Sequence, residues 1–224
     1  DAAEWFGYPY IANRLDWQYI PNGIDVKRFS YSDSTRLSAR AEFGFEKEDL
    51  IIGNIGRLSP QKNQAFLLRS FKLMLEQNPN VKLLLVGSGG LESMLHDDME
   101  RFDILDRVVL LKNRSDTERL YCAMDAFAFP SVFEGLGIVL IEAQANGLPC
   151  VVSDAIPKEA IVSDGVEVVP LARGERVWAD ALASAAVKER ALDGWERVSN
   201  AGFEIAEVAQ RLQAFYLESV EGDL

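Results

Sequence analysis

Residues 129–152 read FPSVFEGLGIVLIEAQANGLPCVV and carry the pattern that decides the fold. An apolar helix that starts at a glycine lies between two strand-like runs, DAFAFP before it and LPCVV after it. The bend formed by Gly135, Leu136 and Gly137 lets backbone N–H groups converge at the helix start, where the helix dipole favours an anion. The pattern therefore predicts a strand, a phosphate-sized opening and a helix in succession.

Two glutamates bracket seven residues of this stretch, with Glu134 at the mouth of the predicted helix and Glu142 in its second turn. With a rise of about 1.5 Å per residue, the carboxylates are roughly 10 Å apart. This length suits a nucleotide-sugar diphosphate, with the sugar at one end and the ribose at the other. Glu142 follows the apolar run IVLI and must face a cleft or a partner, unless it is an exposed helix residue. Glu134 could instead simply complement the helix dipole.

Outward from this stretch, apolar runs alternate with amphipathic segments. Runs that are apolar throughout are typical of strands covered on both faces. The alternation predicts an α/β fold, a Rossmann-like, doubly wound parallel sheet of about six strands. The expected strands are IIGNIG, VKLLLVG, RVVLL, DAFAFP, LPCVV and VEVVP, with a further short strand at 18–20. The expected helices cover 64–77, 90–102, 117–124, 137–146, 175–188, 191–201 and 203–220.

The composition of the 224 residues, 48% hydrophobic and 26% charged, predicts one large domain with a core. A net charge of −12 argues against a nucleic-acid or anionic-membrane surface, so an anionic ligand must be held locally. No apolar run reaches the roughly 20 residues that span a bilayer, and the opening DAAEWFGYPY shows no signal peptide. We expect a piece of a longer protein. Cys122 and Cys150 read as buried and reduced rather than as a disulfide.

Polar residues concentrate in the loops that follow the predicted strands, where open parallel sheets bind ligands. Arg57 and Lys62 lie five residues apart in GRLSPQKN, after the first strand. Arginine can bind a pyrophosphate bidentately and lysine acts as a point charge, although both could be solvated surface cations. The GSGG loop that starts at Gly87 permits close approach of a ligand but does not complete a dinucleotide fingerprint.

The sequence lacks the motifs of several common catalytic sites. No Asp-x-Asp and no Cys/His cluster with metal spacing occurs in the sequence, so no metal site is predicted. There is no GxSxG, and the single histidine, His96, lies among acidic neighbours in a predicted helix, as expected for a solvated side chain. The charge of a departing diphosphate must therefore be met by Arg57, Lys62 and the helix start.

At these residues the chain resembles the retaining glycosyltransferases of family 4, which have the two-domain GT-B architecture, and more narrowly those of capsular or exopolysaccharide assembly. The resemblance follows the family's order through IPNGID, GRLSPQKN, LLLVGSG and the segment 123–154. The E-x7-E element is the family's donor-site signature, and Glu134 and Glu142 match it. The resemblance implies that the chain is the C-terminal, donor-binding half of such an enzyme.

The resemblance also implies roles for individual residues. Arg57 and Lys62 would hold the donor diphosphate, and Glu134 would contact hydroxyls of the transferred sugar. These three residues are the predicted catalytic residues. Glu142 would bind the ribose, and the segment that ends at Arg114 would lie along the base. The other implied donor contacts are Gly87, Gly135, Leu136 and Gly137.

The family mostly uses UDP-sugars and needs no tightly bound metal, so the resemblance implies a UDP-sugar substrate and no cofactor. Residues 1–30 would be an interdomain linker and a remnant of the N-terminal domain, 31–202 the Rossmann-like nucleotide-sugar-binding domain, and 203–224 a C-terminal crossover helix. The saccharide or lipid-linked acceptor would bind the missing N-terminal domain, so the isolated domain would not transfer sugar. The intact enzyme is expected to be cytoplasmic, with peripheral attachment to the inner membrane face through that domain.

Two other functions fit parts of the same pattern. The chain could be a non-catalytic nucleotide-sugar-binding subunit that works with a separate acceptor-domain chain. It could also be a sugar-nucleotide epimerase, but that chemistry needs an acid and a base at the sugar, and only Glu134 is a candidate.

Overall fold

The computed structural model describes residues 20–221, and six parallel strands in this part of the chain form one sheet. Its spatial order is β3-β2-β1-β4-β5-β6. The strands are β1 Leu50–Ile55, β2 Val81–Val86, β3 Val108–Leu111, β4 Ala126–Phe129, β5 Cys150–Val152 and β6 Val166–Val168. The predicted Rossmann-like parallel sheet of about six strands is confirmed. The short strand predicted at 18–20 lies almost wholly outside the described residues.

Helices cover both faces of this sheet. They are α1 Asp33–Glu42, α2 Gln64–Leu75, α3 Glu92–Arg101, α4 Thr117–Ala123, α5 Ile138–Ala145, α6 Gly174–Ala186, α7 Gly194–Val198 and α8 Ile205–Glu221. Six of the predicted helices are confirmed to within two residues, and α1 was not predicted. The predicted helix at 191–201 is wrong in extent, because α7 gives way to a π-helical turn, Ser199–Phe203, in which Gly202 adopts a φ of 87°. The left-handed Gly202 kinks the chain inside this turn, before α8 begins at Ile205.

Strand β1 shows why the strand sequences are apolar throughout. Ile51 packs into the cluster on one face of the sheet and Ile52 into the cluster on the other, because successive side chains of a strand point to opposite faces. Both side chains are fully buried. Helices on both faces therefore leave the strand no solvent-facing position, as expected for a doubly wound sheet.

The core begins earlier than the predicted domain boundary at residue 31. Ile24, Val26 and Phe29 are buried in the cluster that also contains Ile51. The amide of Ile24 donates to the carbonyl of Phe203 at 2.8 Å, and the amide of Ile205 donates to the carbonyl of Ile24 at 2.9 Å. Backbone pairing thus holds Ile24, and burial holds Val26 and Phe29, against the sheet domain, whereas the proposed domain limits stay predictions.

The order of the strands reverses between β1 and β4. These two strands are hydrogen-bonded neighbours, with Ile52 opposite Ala126 and Gly53 opposite Phe127, although more than 70 residues separate them in sequence. Their following loops therefore leave the same edge of the sheet toward opposite sides. In doubly wound folds such a reversal opens a crevice at the carboxyl ends of the strands, and ligands bind there.

Candidate functional site

A cavity of about 380 Å³ opens at this carboxyl edge. The loops after β1, β2 and β3 line it, and its residues are Ile55, Gly56, Arg57, Val86, Gly87, Ser88, Asn113, Arg114 and Thr117. Three residues that the sequence marked for donor contact, Arg57, Gly87 and Arg114, are thus brought together. A second cavity, of about 400 Å³, is lined by residues that include Pro79 and Asp106, at the opposite edge of the sheet, and contains none of the predicted site residues.

Beside the cavity, the loops after β1 and β4 meet through an ion pair. Lys62 Nζ donates to Glu134 Oε1 at 2.6 Å, and their side chains are only 16% and 6% exposed. The ammonium also lies 4.8 Å from the centre of the Phe129 ring, within the range of a cation–π contact. The aliphatic part of Lys62 runs past Gly56, which lines the cavity. The structure therefore places two of the three predicted catalytic residues in direct contact.

Hydrogen bonds to backbone carbonyls hold these two loops in place. The amide of Val132 donates to the carbonyl of Gln61 at 2.8 Å, and the Gln61 side chain donates to the carbonyl of Phe133 at 3.0 Å. The buried side chain of Gln64 donates to the carbonyl of Arg57 at 3.0 Å. Because these bonds are already made, a ligand would bind a preorganised site.

Arg57 differs from its neighbours because its charge has no ion-pair partner in the part of the chain that the structure describes. Its side chain is exposed on the cavity wall, and no acidic residue within 20–221 forms an ion pair with it. In a chain of net charge −12 an unpaired arginine is a marked local feature. All of its guanidinium donors are available to an anion, which arginine can bind bidentately.

Two glycines of the site are required by backbone conformation and packing, and a third is not. Gly87 adopts a φ of 152°, and a side chain there would collide with the carbonyl oxygen of Gly56, so packing of the two loops requires glycine. Gly137 adopts a φ of 79° at the start of α5, and an added Cβ would lie 3.0 Å from the Phe129 ring. An added Cβ at Gly135 meets nothing within 4 Å. The open space at the predicted phosphate-facing bend therefore lies over Gly135, while Leu136 packs against the core.

Glu142 lies on α5 against the helix α4, whose first residue lines the cavity. The Tyr121 hydroxyl lies 2.8 Å from Glu142 Oε2, and the tyrosine is fully buried. Burial raises the pKa of Glu142, whereas the hydrogen bond from Tyr121 and the charge of Arg28 oppose this rise and the charge of Glu118 adds to it. Glu142 is thus a partly buried, partnered carboxyl and not a solvated helix glutamate.

Arg114 lines the cavity, but its guanidinium is already engaged. Its Nε and Nη2 donate to the two carboxylate oxygens of Asp116 at 2.8 and 2.7 Å, and Nη2 also donates to Glu42 at 3.0 Å. The guanidinium lies 5.4 Å from the centre of the Phe43 ring. These contacts tie the loop after β3 to α1, so the predicted base contact would involve a side chain whose charge is internally paired.

Sequence reasoning missed Tyr121 and Gln64, which hold Glu142 and the Arg57 loop. Tyr121 lies four residues after Thr117 on α4, a spacing that places both on one face of the helix. Nothing in the local pattern distinguishes either residue from ordinary core, because each is fully buried. Their partners come from other segments of the chain.

The predictions that His96 is solvated and that the two cysteines are buried are confirmed. His96 is exposed on α3, 3.7 Å from Glu100. Its ligand atoms and those of Asp97 and Glu100 lie within 4.8 Å of one another in an exposed group, which the sequence did not predict as a metal site. Cys122 and Cys150 are buried and free. Within the described ranges, no helix combines the length and the apolar character that crossing a membrane requires.

Comparison with known proteins adds a family match. Residues 35–187 match the model of the family "Glycosyl transferases group 1". The chain is 34% identical over 172 residues to the putative glycosyltransferase EpsF of Bacillus subtilis (strain 168), which covers 76% of the chain and 45% of that relative. It is 30% identical over 148 residues to the UDP-Gal:alpha-D-GlcNAc-diphosphoundecaprenol alpha-1,3-galactosyltransferase of Escherichia coli, covering 65% of the chain and 38% of the relative.

Among solved structures, Alr3699/HepE of Anabaena in complex with UDP has a TM-score of 0.76 and 25% sequence identity. The similarity covers 90% of the chain and 57% of that protein. The chain therefore spans about half the length, or less, of the relatives that it matches.

Proposed function

The chain belongs to the group 1 glycosyl transferases, whose model matches residues 35–187, and we propose that it is the C-terminal, donor-binding domain of a GT-B enzyme. The intact enzyme would transfer a hexose from a UDP-sugar to a polysaccharide or lipid-linked acceptor with retention of configuration. Its place would be capsule or exopolysaccharide assembly on the cytoplasmic side of the membrane. The E. coli relative named for UDP-Gal and the Anabaena structure that contains UDP support the choice of donor.

One observation carries this proposal: the Lys62–Glu134 pair lies beside a cavity on whose wall Arg57 has no partner among the described residues. A pyrophosphate needs two cations within reach of one another, and a transferred sugar needs a hydroxyl acceptor next to them. The switch point of the sheet supplies all three side chains on two preorganised loops. Glu142, on the helix that follows Glu134, would accept the ribose hydroxyls.

In this mechanism the bond between the anomeric carbon and the phosphate oxygen breaks, and negative charge builds on the β-phosphate. Arg57, Lys62 and the start of α5 would bind the growing charge more strongly than the resting donor, which accelerates the reaction. Each such contact supplies about 2 to 4 kcal/mol. Before binding, Lys62 is neutralised by Glu134, so the diphosphate would draw Lys62 toward itself and release Glu134 for the hydroxyls of the sugar.

Calorimetric titration of the chain with UDP, GDP and ADP tests the donor assignment. We expect UDP to bind most tightly. A preference for GDP or ADP would overturn the base assignment, and absence of binding for all three would overturn the proposed function.

The transfer role of Lys62 is tested in the full-length enzyme. Lys62→Ala should lower transfer more than tenfold, because one of two cations at the leaving group is lost. Lys72→Ala is the matched control, since Lys72 lines the cavity at the opposite edge of the sheet, and it should leave transfer unchanged. Unchanged turnover of Lys62→Ala at saturating donor would refute the assignment. An acceptor domain encoded in the same gene would support one continuous enzyme over a separate binding subunit.

A further inference from the structure

The Tyr121 hydroxyl lies between two acceptors. It is 2.8 Å from Glu142 Oε2 and 3.0 Å from the carbonyl oxygen of Val139. A phenol has one proton to donate and can also accept a hydrogen bond. When Glu142 is ionised, both neighbours can only accept, and the single proton satisfies only one of them fully. Protonation of Glu142 removes the charge that strengthens the hydrogen bond from Tyr121, so this hydrogen bond favours the ionised carboxylate.

The charged groups that face Glu142 come from two other segments. Glu118 lies on α4, one turn before Tyr121, and Arg28 lies in the segment after Ile24. Arg28 is paired with Glu118 at 3.0 Å, so its positive charge is largely shared with that carboxylate. Burial and the charge of Glu142 hold the pKa of Tyr121 well above its ordinary range. The phenol therefore keeps its proton, and Glu142 is the group that titrates.

The second oxygen of Glu142 is available to a ligand. Oε1 has no hydrogen-bond partner within residues 20–221, and it is not among the fully buried unsatisfied atoms. Two vicinal hydroxyls, such as the 2′- and 3′-OH of a ribose, are donors that need acceptors on both carboxylate oxygens. A protonated carboxyl would present one oxygen as a donor, so it fits a diol poorly.

We propose that Tyr121 is a positioning residue whose hydroxyl donates to the Glu142 carboxylate and orients it for the ribose diol. Because the diol binds the ionised carboxylate, nucleotide binding releases the proton of any Glu142 that is still protonated. The inference rests on the proposed function, because the ribose is that of the nucleotide donor. In the bound state the two hydroxyls donate to Oε1 and Oε2. The Tyr121 proton remains available to Oε2 or to the Val139 carbonyl.

Tyr121→Phe tests the hydroxyl alone. The variant keeps the ring, which makes edge contacts with Phe29 and Phe127 at centroid distances of 6.0 and 5.7 Å, so the fold should persist. Affinity for UDP at neutral pH should fall by at least about tenfold, the lower limit for loss of one hydrogen bond to a charged group. The pH below which affinity declines should rise relative to the unmodified chain, because Tyr121 stabilises the ionised carboxyl. UDP lacking both ribose hydroxyls should bind the two proteins equally.

The outcomes separate this inference from the proposed function. If the unmodified chain binds UDP but Tyr121→Phe shows the same affinity and pH profile, the role of Tyr121 is refuted and the donor assignment stands. If the unmodified chain binds no UDP at any pH, both are refuted. Carbon-13 NMR of the Glu142 carboxyl in the unmodified chain gives a second readout that needs no variant. Saturation with UDP should lower its titration midpoint, and an unmoved midpoint would overturn the inference.

Discussion

Arginines at the two ends of strands β1 and β4 differ in burial and in how many of their donors are engaged. At the amino ends, Arg40 is buried and donates to the carbonyls of Glu46 and Asp49 and to the carboxylate of Asp125. At the carboxyl ends, Arg57 is exposed and has no ion-pair partner within the described residues. An arginine whose donors are all engaged by the protein is therefore structural, whereas an arginine with free donors is available to a ligand.

At the amino ends, Arg36, Arg40 and Arg190 are bound by acceptors of the protein itself. Asp125 pairs with Arg36 at 2.6 Å and with Arg40 at 3.2 Å, and it accepts from the amide of Ile51 at 2.8 Å. Arg190 donates to the carbonyl of Met124 at 2.6 Å, and burial lowers its pKa to about 10. Carbonyl oxygens and one carboxylate thus accept the hydrogen bonds of three arginines, so these donors are engaged within the protein rather than offered to an anion.

The largest effect on stability is expected from removing the carboxylate of the cluster at the amino ends of β1 and β4. Asp125→Ala leaves Arg36 and Arg40 without their carboxylate, and it should lower the free energy of unfolding by about 3 to 5 kcal/mol. Chemical denaturation measures this change. Glu175→Ala is the control because its pair with Arg69 is exposed, and it should change stability by less than about 1 kcal/mol. Equal losses in the two variants would show that the Asp125 cluster is not the anchor described above.

The second-largest effect concerns the carboxyl ends of the strands, where one glycine is required by packing and another faces open space. Gly87→Ala forces a side chain into the carbonyl of Gly56 at a positive φ, and it should destabilise the fold by about 2 to 4 kcal/mol. Gly135→Ala, the control, meets open space and should change stability by less than about 0.5 kcal/mol. Thermal unfolding of both variants decides, and a stable Gly87→Ala protein would contradict the packing of the two loops.

Arg57→Ala should separate binding from stability. Loss of a charged donor pair should weaken UDP binding by about 10- to 100-fold, corresponding to about 1.5 to 3 kcal/mol. Since Arg57 makes no ion pair with residues 20–221, the free energy of unfolding should stay within about 0.5 kcal/mol. Arg69→Ala removes an exposed arginine paired with Glu175 and should leave UDP affinity unchanged. An Arg57→Ala protein that unfolds easily but binds UDP normally would show that Arg57 serves stability and not ligand binding.

The smallest effect concerns stability at Glu142. Its pKa is raised in the folded chain, mainly by burial, so the proton stabilises the fold below the ordinary value of 4.5. That contribution is lost as the pH rises through the folded pKa. Glu142→Gln should therefore unfold less easily than the unmodified chain at neutral pH, and the difference should vanish below about pH 4.5. Denaturation curves at several pH values test this, and a pH-independent difference would exclude the carboxyl as its source.

Features that depend on local pattern could be predicted, and those that depend on distant partners could not. The apolar strands are visible because burial on both faces removes every polar position, and Glu134 and Lys62 are visible because they follow strands. Helix α1 is mostly polar, and its Arg36 binds carbonyls at 122–124, more than 80 residues away. The contact between Tyr121 and Glu142 likewise joins two helices, and no periodicity in the sequence signals it.

The most direct measurement compares UDP with uridine, which lacks the diphosphate, by titration of the chain and of a variant in which Arg57→Ala and Lys62→Ala are combined. A diphosphate held by both cations should make UDP bind the unmodified chain at least about 100-fold more tightly than uridine. The combined variant should reduce this ratio to less than about tenfold, while uridine affinity stays the same. Equal affinities of the unmodified chain for UDP and uridine, or an undiminished ratio in the variant, would contradict a diphosphate site at this edge of the sheet.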